Sequence, residues 1–311
     1  MGEAIIQARG LTKRYGAATA VDAVDFDVAA GEIFGLLGPN GAGKTTTILM
    51  LLGLTEASAG SVTVAGHDPV RDPLAVKKRV GYLPDSVGFY DNLTARENMR
   101  YMLRLAGFAR DEAGRRIDGA LARVRLSDVA DKRVATFSRG MRQRLGIAEI
   151  IAKRAEIAIL DEPTSGLDPQ STFELLDLIR DLKADGVAVL LSSHLLDRVQ
   201  SICDRVALFN KGRIALMGTV RELGAMVLGA GHAAHVEADG PDMEARLAGV
   251  AGVQRVERDG RGWRVTAARD VMADIAQTVV GGGGRLQRLA AADPSLEAIY
   301  ARYFEEHRDA A

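Results

Sequence analysis

The eight residues GPNGAGKT, Gly38 to Thr45, constrain this chain more than any other stretch. They match G-x-x-x-x-G-K-[ST], follow the apolar run EIFGLLG and precede the apolar TTTILMLLGL. A buried strand, a glycine loop and a helix in that order form a cradle for phosphate. The glycines let backbone N–H groups converge on anionic oxygens, and the helix start adds its positive end. The candidate phosphate-binding residues are Gly38, Pro39, Asn40, Gly41, Ala42, Gly43, Lys44, Thr45 and Thr46. Lys44 is expected to reach the β- and γ-phosphates, and Thr45 to ligate Mg²⁺.

A second segment, EIAILDEPTSGLDP, supplies acids to match. Its apolar strand ends in Asp161, which places a carboxylate beside Mg²⁺. Glu162 follows, close enough to polarise a water for attack on a γ-phosphate. Two such acids could otherwise cap the next helix, but the phosphate loop upstream favours the catalytic reading. A third segment, FSRGMRQRLGIAEII from Phe137, begins a helix with Ser138 at the cap position. A helix start preceded by Ser-Arg-Gly is also a place to hold an anion.

Residues 1–225 alternate strand and helix patterns. AIIQARG and AVDFDVAAGE read as short strands of a meander, and EIAILDEP and GVAVLLSSH as buried strands. Continuous apolar strands between helices predict an α/β domain with a largely parallel sheet covered on both faces. A mostly helical insert spans about 94–135. In it Met99, Met102, Leu103 and Ala106 share one helical face, the pattern of core packing. After Leu223, GAMVLGAGHAAH reads as a linker. Residues 233–311 then show a β-α-β-β-α-β order, predicting a small α+β domain of split-βαβ type closed by a last helix, PSLEAIYARYFEEH. The four glycines 281–284 are expected to cap the preceding helix.

Composition narrows the partners. A formal net charge of −1 argues against a nucleic-acid binder. The lone Cys203 excludes an intramolecular disulfide framework and a cysteine-based metal site. MGEAIIQARG lacks the pattern of a signal peptide, Ile6 stands where a myristoylation motif needs Ser or Thr, and no apolar run approaches a membrane span. A cytoplasmic protein is expected. Residues 96–144 carry 12 Arg and one Lys against six acids, either a surface for a partner or a solvated basic face.

Tyr15, the phosphate loop, GYLPD, FSRGMRQ, LDEP, SGLD and LSSH occur in the order and spacing of ATP-binding cassette (ABC) proteins. The resemblance covers about residues 4–220. Ser-basic-Gly-Met followed by basic-Gln-Arg is similar to the ABC-2-type, drug-resistance-like export ATPases. The resemblance implies an ATPase with ATP and Mg²⁺ as ligands. It implies a homodimer in which Ser138 and Gly140 of one subunit cap the ATP held by the other. It further implies separately encoded transmembrane permease subunits, docked at the helical insert, that hold the chain at the inner face of the membrane. Tyr15 corresponds to the aromatic that stacks on adenine, Asp168 to the loop crossing the dimer axis, and His194 to the switch histidine near the γ-phosphate.

Three positions depart from the family pattern, one of them Met141, which stands where the signature has glutamine. Arg139 replaces the first signature glycine and either adds positive charge near phosphate or points into solvent. Asp85 replaces a glutamine that binds Mg²⁺; a carboxylate is a hard ligand for Mg²⁺ but repels phosphate. The segment FYDNLTARE also resembles ATPases that accompany nitrous oxide reductase maturation. A competing class comprises soluble ABC ATPases of DNA repair, chromosome structure or translation. Those usually show long coiled coils, zinc-binding cysteines or two cassettes, and the sequence has none of these.

Overall fold

The computed structural model describes residues 4–228, 232–291 and 295–306. The centre of the expected linker, Gly229 to Gly231, lies outside them, as do Pro294 and His307 at the ends of the expected last helix. Backbone packing divides the chain into two units, Met1–Met217 and Gly218–Ala311.

The first unit opens with β1 (Ala4–Tyr15) and β2 (Ala18–Ala29), which pair antiparallel, and β4 (Ala59–Val64) pairs antiparallel with the other edge of β1. The first two strands run twelve residues each, longer than the short strands the sequence suggests. Register shifts along β1 and β2 break the ladder locally, and such bulges bend and twist a strand. A second sheet has six strands in the order β5-β6-β7-β3-β8-β9. They are β3 (Ile33–Leu37), β5 (Val80–Leu83), β6 (Ile157–Leu160), β7 (Ala188–Ser193), β8 (Arg205–Asn210) and β9 (Arg213–Gly218). The pairs β5–β6, β6–β7, β7–β3 and β3–β8 are all parallel. Every residue of β3, β6 and β7 is buried, which explains why these strands read as unbroken apolar runs.

Side chains of the three-stranded sheet (Ile6, Leu11, Phe26, Val28) share one core with Ile48 and Leu51 of α1 (Lys44–Leu51) and with Phe34, Ile159 and Leu190 of the six-stranded sheet. Phe26 and Phe34 stack with ring centroids 5.6 Å apart. The remaining helices of this unit are α2 (Pro73–Arg79), α3 (Ala95–Leu105), α4 (Arg110–Arg123), α5 (Arg139–Lys153), α6 (Pro169–Ala184) and α7 (Leu196–Gln200). Thr94 starts α3 with a reciprocal capping box: its hydroxyl accepts from the Glu97 N–H, and its own N–H donates to the Glu97 carboxylate.

On α3, Met99 and Leu103 are buried, but Met102 is 44% exposed. The helix packs through the i, i+4 row, and the residue three positions on falls at the edge of the stripe. The expectation that the apolar stripe packs in the core is corrected at Met102, and Ala106 is only half-buried. A cavity of about 100 Å³ lies beside α3, lined by Tyr82, Met99, Leu103, Glu149 and Lys153 among others. Glu149 Oε1 is buried there without a hydrogen-bond partner.

The second unit contains α8 (Val220–Leu228), β10 (His232–Asp239), α9 (Met243–Ala248), β11 (Val253–Asp259), β12 (Gly262–Ala267), α10 (Met272–Gly281), β13 (Arg285–Ala291) and α11 (Leu296–Glu306). Its sheet is antiparallel in the order β11-β12-β10-β13. Val236, Trp263 and Val265 meet Leu247, Ile275 and Val279 of the two helices in a separate core. Helix α8 corrects the linker reading over Gly224–Leu228, and β10 corrects it from His232 onward. Its Leu223 is buried, so packing stabilises a turn sequence whose glycine alone argues for flexible chain.

Burial raises the pKa of Glu149 to about 8, with Lys153 opposing the shift. A carboxyl raised in the folded state contributes stability at low pH that is lost as pH rises toward the folded value. Between about pH 4.5 and 8 this residue should lower stability by up to about 1.4 kcal/mol per pH unit. Urea denaturation across that range should show a shallower decline for Glu149→Gln than for the wild-type chain. Identical pH slopes would show that the carboxyl is solvated.

Candidate active site

The candidate residues gather where β3, β6 and β7 end, because parallel strands all deliver their carboxyl ends to one edge. The phosphate loop follows β3, Asp161 and Glu162 follow β6, and His194 follows β7. The loop's path depends on glycine at two positions of positive φ. Gly38 has φ 149°, and a Cβ there would lie 2.4 Å from the Phe209 carbonyl oxygen. Gly43 has φ 107° and caps α1, with a Cβ position 2.6 Å from the Ala20 carbonyl oxygen. Any side chain would collide with backbone at either point.

Lys44 is almost wholly buried, and its ammonium donates to the carbonyls of Gly38 at 2.6 Å and Pro39 at 3.1 Å. Glu162 Oε1 lies 3.3 Å from the same nitrogen. Glu162 Oε2 meets His194 twice, at 2.8 Å from Nδ1 and 3.3 Å from the backbone N–H. Oε1 is buried and takes part in no hydrogen bond, so one carboxylate oxygen is held by His194 while the other faces only the Lys44 ammonium among the described contacts. The Glu162 backbone has φ 49°, a left-handed conformation that costs a non-glycine residue free energy and gathers at functional sites.

Asp161 is held by hydroxyl groups. Thr45 Oγ1 donates to Asp161 Oδ1 at 3.2 Å, and Ser192 Oγ donates to the same oxygen at 2.5 Å. The Glu162 N–H in turn donates to Ser192 Oγ at 3.0 Å. Ser192 therefore fixes both acids, a role the sequence reading missed. Its place in LSSH, one strand away from LDEP in a parallel sheet, was the available signal. A threonine hydroxyl against a carboxylate is a hard oxygen pair of the kind Mg²⁺ prefers, so the residues present fit that ion.

The other candidates stand apart from this cluster. Ser138 caps α5, accepting from the Met141 N–H at 3.2 Å, and Gly140 lies in the helix's first turn with its N–H among those lacking an intrahelical partner. Among the described contacts, none joins Ser138 or Gly140 to Lys44, Asp161 or Glu162. Tyr15 ends β1 with its ring 52% exposed, and Lys13 Nζ sits 4.9 Å from the ring centroid. Asp168 caps α6 by accepting from the Ser171 N–H and hydroxyl at 2.9 and 2.6 Å. Asp85 follows β5 and pairs with Arg139 at 3.0 Å. The Arg-rich region is laced with acids: Arg96 binds Asp118 and Asp131, Arg116 binds Glu112, and Arg142 binds Asp91.

The family model described as ABC transporter matches residues 21–165. The chain is 36% identical to the linearmycin resistance ATP-binding protein LnrL of Bacillus subtilis over 70% of each chain. It is 40% identical to the bacitracin transport ATP-binding protein BcrA of Bacillus licheniformis over 68% of each chain. It is 36% identical to the Nod factor export ATP-binding protein I of Ralstonia nicotianae, over 82% of this chain and 79% of that one. A solved structure titled as the ATP binding subunit of an ABC transporter superposes with a TM-score of 0.67 at 31% identity, covering 72% of this chain and 94% of its own.

Lys44→Ala removes the cation facing a buried carboxylate, a loss that costs about 3–5 kcal/mol in buried pairs. Urea denaturation should show Lys44→Ala strongly destabilised and Lys44→Ala/Glu162→Gln substantially recovered. Equal stability of the two variants would dissolve the pair.

Proposed function

The chain belongs to the ABC transporter family, and from that premise we propose how its residues divide the work of an ATP-driven export subunit. It is the ATP-binding, ATP-hydrolysing subunit of an ABC-2-type transporter, acting with membrane permeases. Among the described residues, no helix is long and apolar enough to cross a membrane. Docking to a separately encoded permease then places the chain at the inner membrane face.

The observation that carries the catalytic reading is the cluster in which Lys44, Glu162 and His194 meet beside Thr45, Asp161 and Ser192. Lys44 and the loop N–H groups bind the β- and γ-phosphates. Thr45 and Asp161 would hold Mg²⁺, which when bound would neutralise phosphate charge, while the third candidate, Asp85, is engaged by Arg139. Glu162 takes a proton from the attacking water through Oε1, the oxygen without a hydrogen-bond partner. His194 holds Oε2 and so fixes the carboxylate plane. Tyr15, exposed at the end of β1, stacks on adenine.

Ser138 and Gly140 lie outside this cluster, and their helix start suits phosphate. That separation supports a homodimer in which they cap the partner's ATP. ATP closes the dimer and hydrolysis reopens it, a population shift driven by the ligand. The first unit carries the nucleotide chemistry, and the second, which holds no phosphate motif, is an accessory domain for regulation or partner contact.

Glu162→Gln should slow turnover by about 10² to 10⁴, the usual loss for a general base, while keeping ATP binding. Size-exclusion chromatography of that variant should show a dimer with ATP–Mg²⁺ that ADP does not support, and adding Ser138→Arg should abolish it. Normal turnover by Glu162→Gln would sink its role as base.

A chain ending at Met217 should still bind ATP, measured by equilibrium titration. A folded truncation without affinity would refute the division of labour between the units.

A further inference from the structure

Two of the residues that depart from the family pattern, Arg139 and Asp85, touch each other. Arg139 Nη2 donates to Asp85 Oδ1 at 3.0 Å, across 54 residues of sequence. Arg139 opens α5, and Asp85 lies just after β5. The same guanidinium covers a third segment: a Cβ on Gly166 would lie 3.2 Å from Arg139 Cζ and Nη1. One side chain thus joins the start of α5, the turn after β5 and the loop between Glu162 and α6.

The charge balance at the sheet edge gives this contact a consequence. Strands β5 and β6 pair in parallel with Leu83 opposite Leu160, and the Asp161 N–H donates to the Leu83 carbonyl at 2.8 Å. Asp85 therefore leaves the sheet beside Asp161. The half-buried Tyr82 phenol, raised to about 12, reports both neighbours: after burial, the charges of Asp161 and Asp85 are the causes of its shift. Three carboxylates, Asp85, Asp161 and Glu162, gather at an edge meant to receive a polyanion. Lys44 answers only Glu162. Asp161 has hydroxyl partners but no cation within ion-pair distance among the described contacts. An uncompensated Asp85 would add repulsion against phosphate.

We propose that Arg139 is a positioning residue for nucleotide binding within its own chain: it holds the Asp85 carboxylate and cancels its charge, so that the phosphate site accepts ATP despite an acid at this position. The inference rests on the ATPase reading and deepens it. Both partners are about half exposed, at 48% and 55%, so the coupling is that of a surface pair and easily opened. Arginine suits the role better than lysine because its planar fork meets the carboxylate while its face lies on Gly166.

A mutant cycle tests it by titrating a fluorescent ATP analogue with Mg²⁺ into the full-length chain at concentrations that keep it monomeric. Arg139→Ala should weaken affinity about two- to fivefold, the range of half-exposed ion pairs. In the Asp85→Asn background the same substitution should have no effect. Arg139→Gln, which keeps a long polar side chain, should behave like Arg139→Ala if charge is the cause. The single-variant defect should shrink in 0.5 M salt, where charges a few ångströms apart are screened. Turnover at saturating ATP should change less than KM, a split that mere loosening of the fold does not produce. An equal loss in both backgrounds, or no loss at all, overturns the pairing while leaving the ATP site intact. A wild-type chain that fails to bind the analogue overturns both the pairing and the reading beneath it.

Discussion

A buried ammonium facing a buried carboxylate organises the first unit. Lys44 and Glu162 sit 3.3 Å apart, with side chains only 5% and 13% exposed. Removing two such charges from water is costly, and attraction offsets the cost only when geometry is held closely. The surrounding structure supplies that hold. Gly38 and Gly43 turn the loop so that Lys44 folds back over its own carbonyls, and the left-handed backbone at Glu162 aims the acid toward it. The fully buried parallel strands β3, β7 and β6 fix the ends that carry both.

The acids beside the pair are held in different ways, and the difference sorts their chemistry. Asp161 receives two hydroxyl donors on one oxygen, which orients it without neutralising it. Glu162 is pinned through one oxygen by His194, and the other faces the Lys44 ammonium without a hydrogen bond. A carboxylate that is oriented but still charged suits a cation, whereas one with an open lone pair beside the site suits proton transfer. Asp85 follows a third pattern, set on the rim and matched by an arginine from a distant helix. Electrostatics at this edge is thus balanced residue by residue rather than by net charge.

The second unit shows how little of a fold needs chemistry to specify it. Alternating apolar residues on β10 and β12 place Val236, Trp263 and Val265 on one face, and two amphipathic helices cover them. The polar faces of the same strands carry His235, Glu237 and Arg264. Period-two and period-3.6 patterns stay legible here because each strand buries a single face. The linker reading failed at Gly224–Leu228 for the opposite reason. Gly and Ala signal loose chain locally, and only packing around Leu223 keeps them helical.

Local order in the chain was enough to settle the phosphate loop, the acids after β6 and the histidine after β7. Each is a contiguous motif whose physics lies in adjacent residues: glycines that free N–H groups, and polar residues that end apolar strands. The parallel α/β class was legible for a similar reason, since strands buried on both faces lose their alternation. Contacts between segments were not legible. The LSSH motif sets Ser192 one strand from the acids but does not assign its hydroxyl to Asp161, and nothing near Arg139 or Asp85 says that they pair across 54 positions. Nor does the stripe on α3 reveal that Met102 stays exposed while Met99 and Leu103 are buried. Those outcomes depend on which strand ends and helix faces the folded backbone brings together, and that is decided by long-range packing, which no window of neighbouring residues contains.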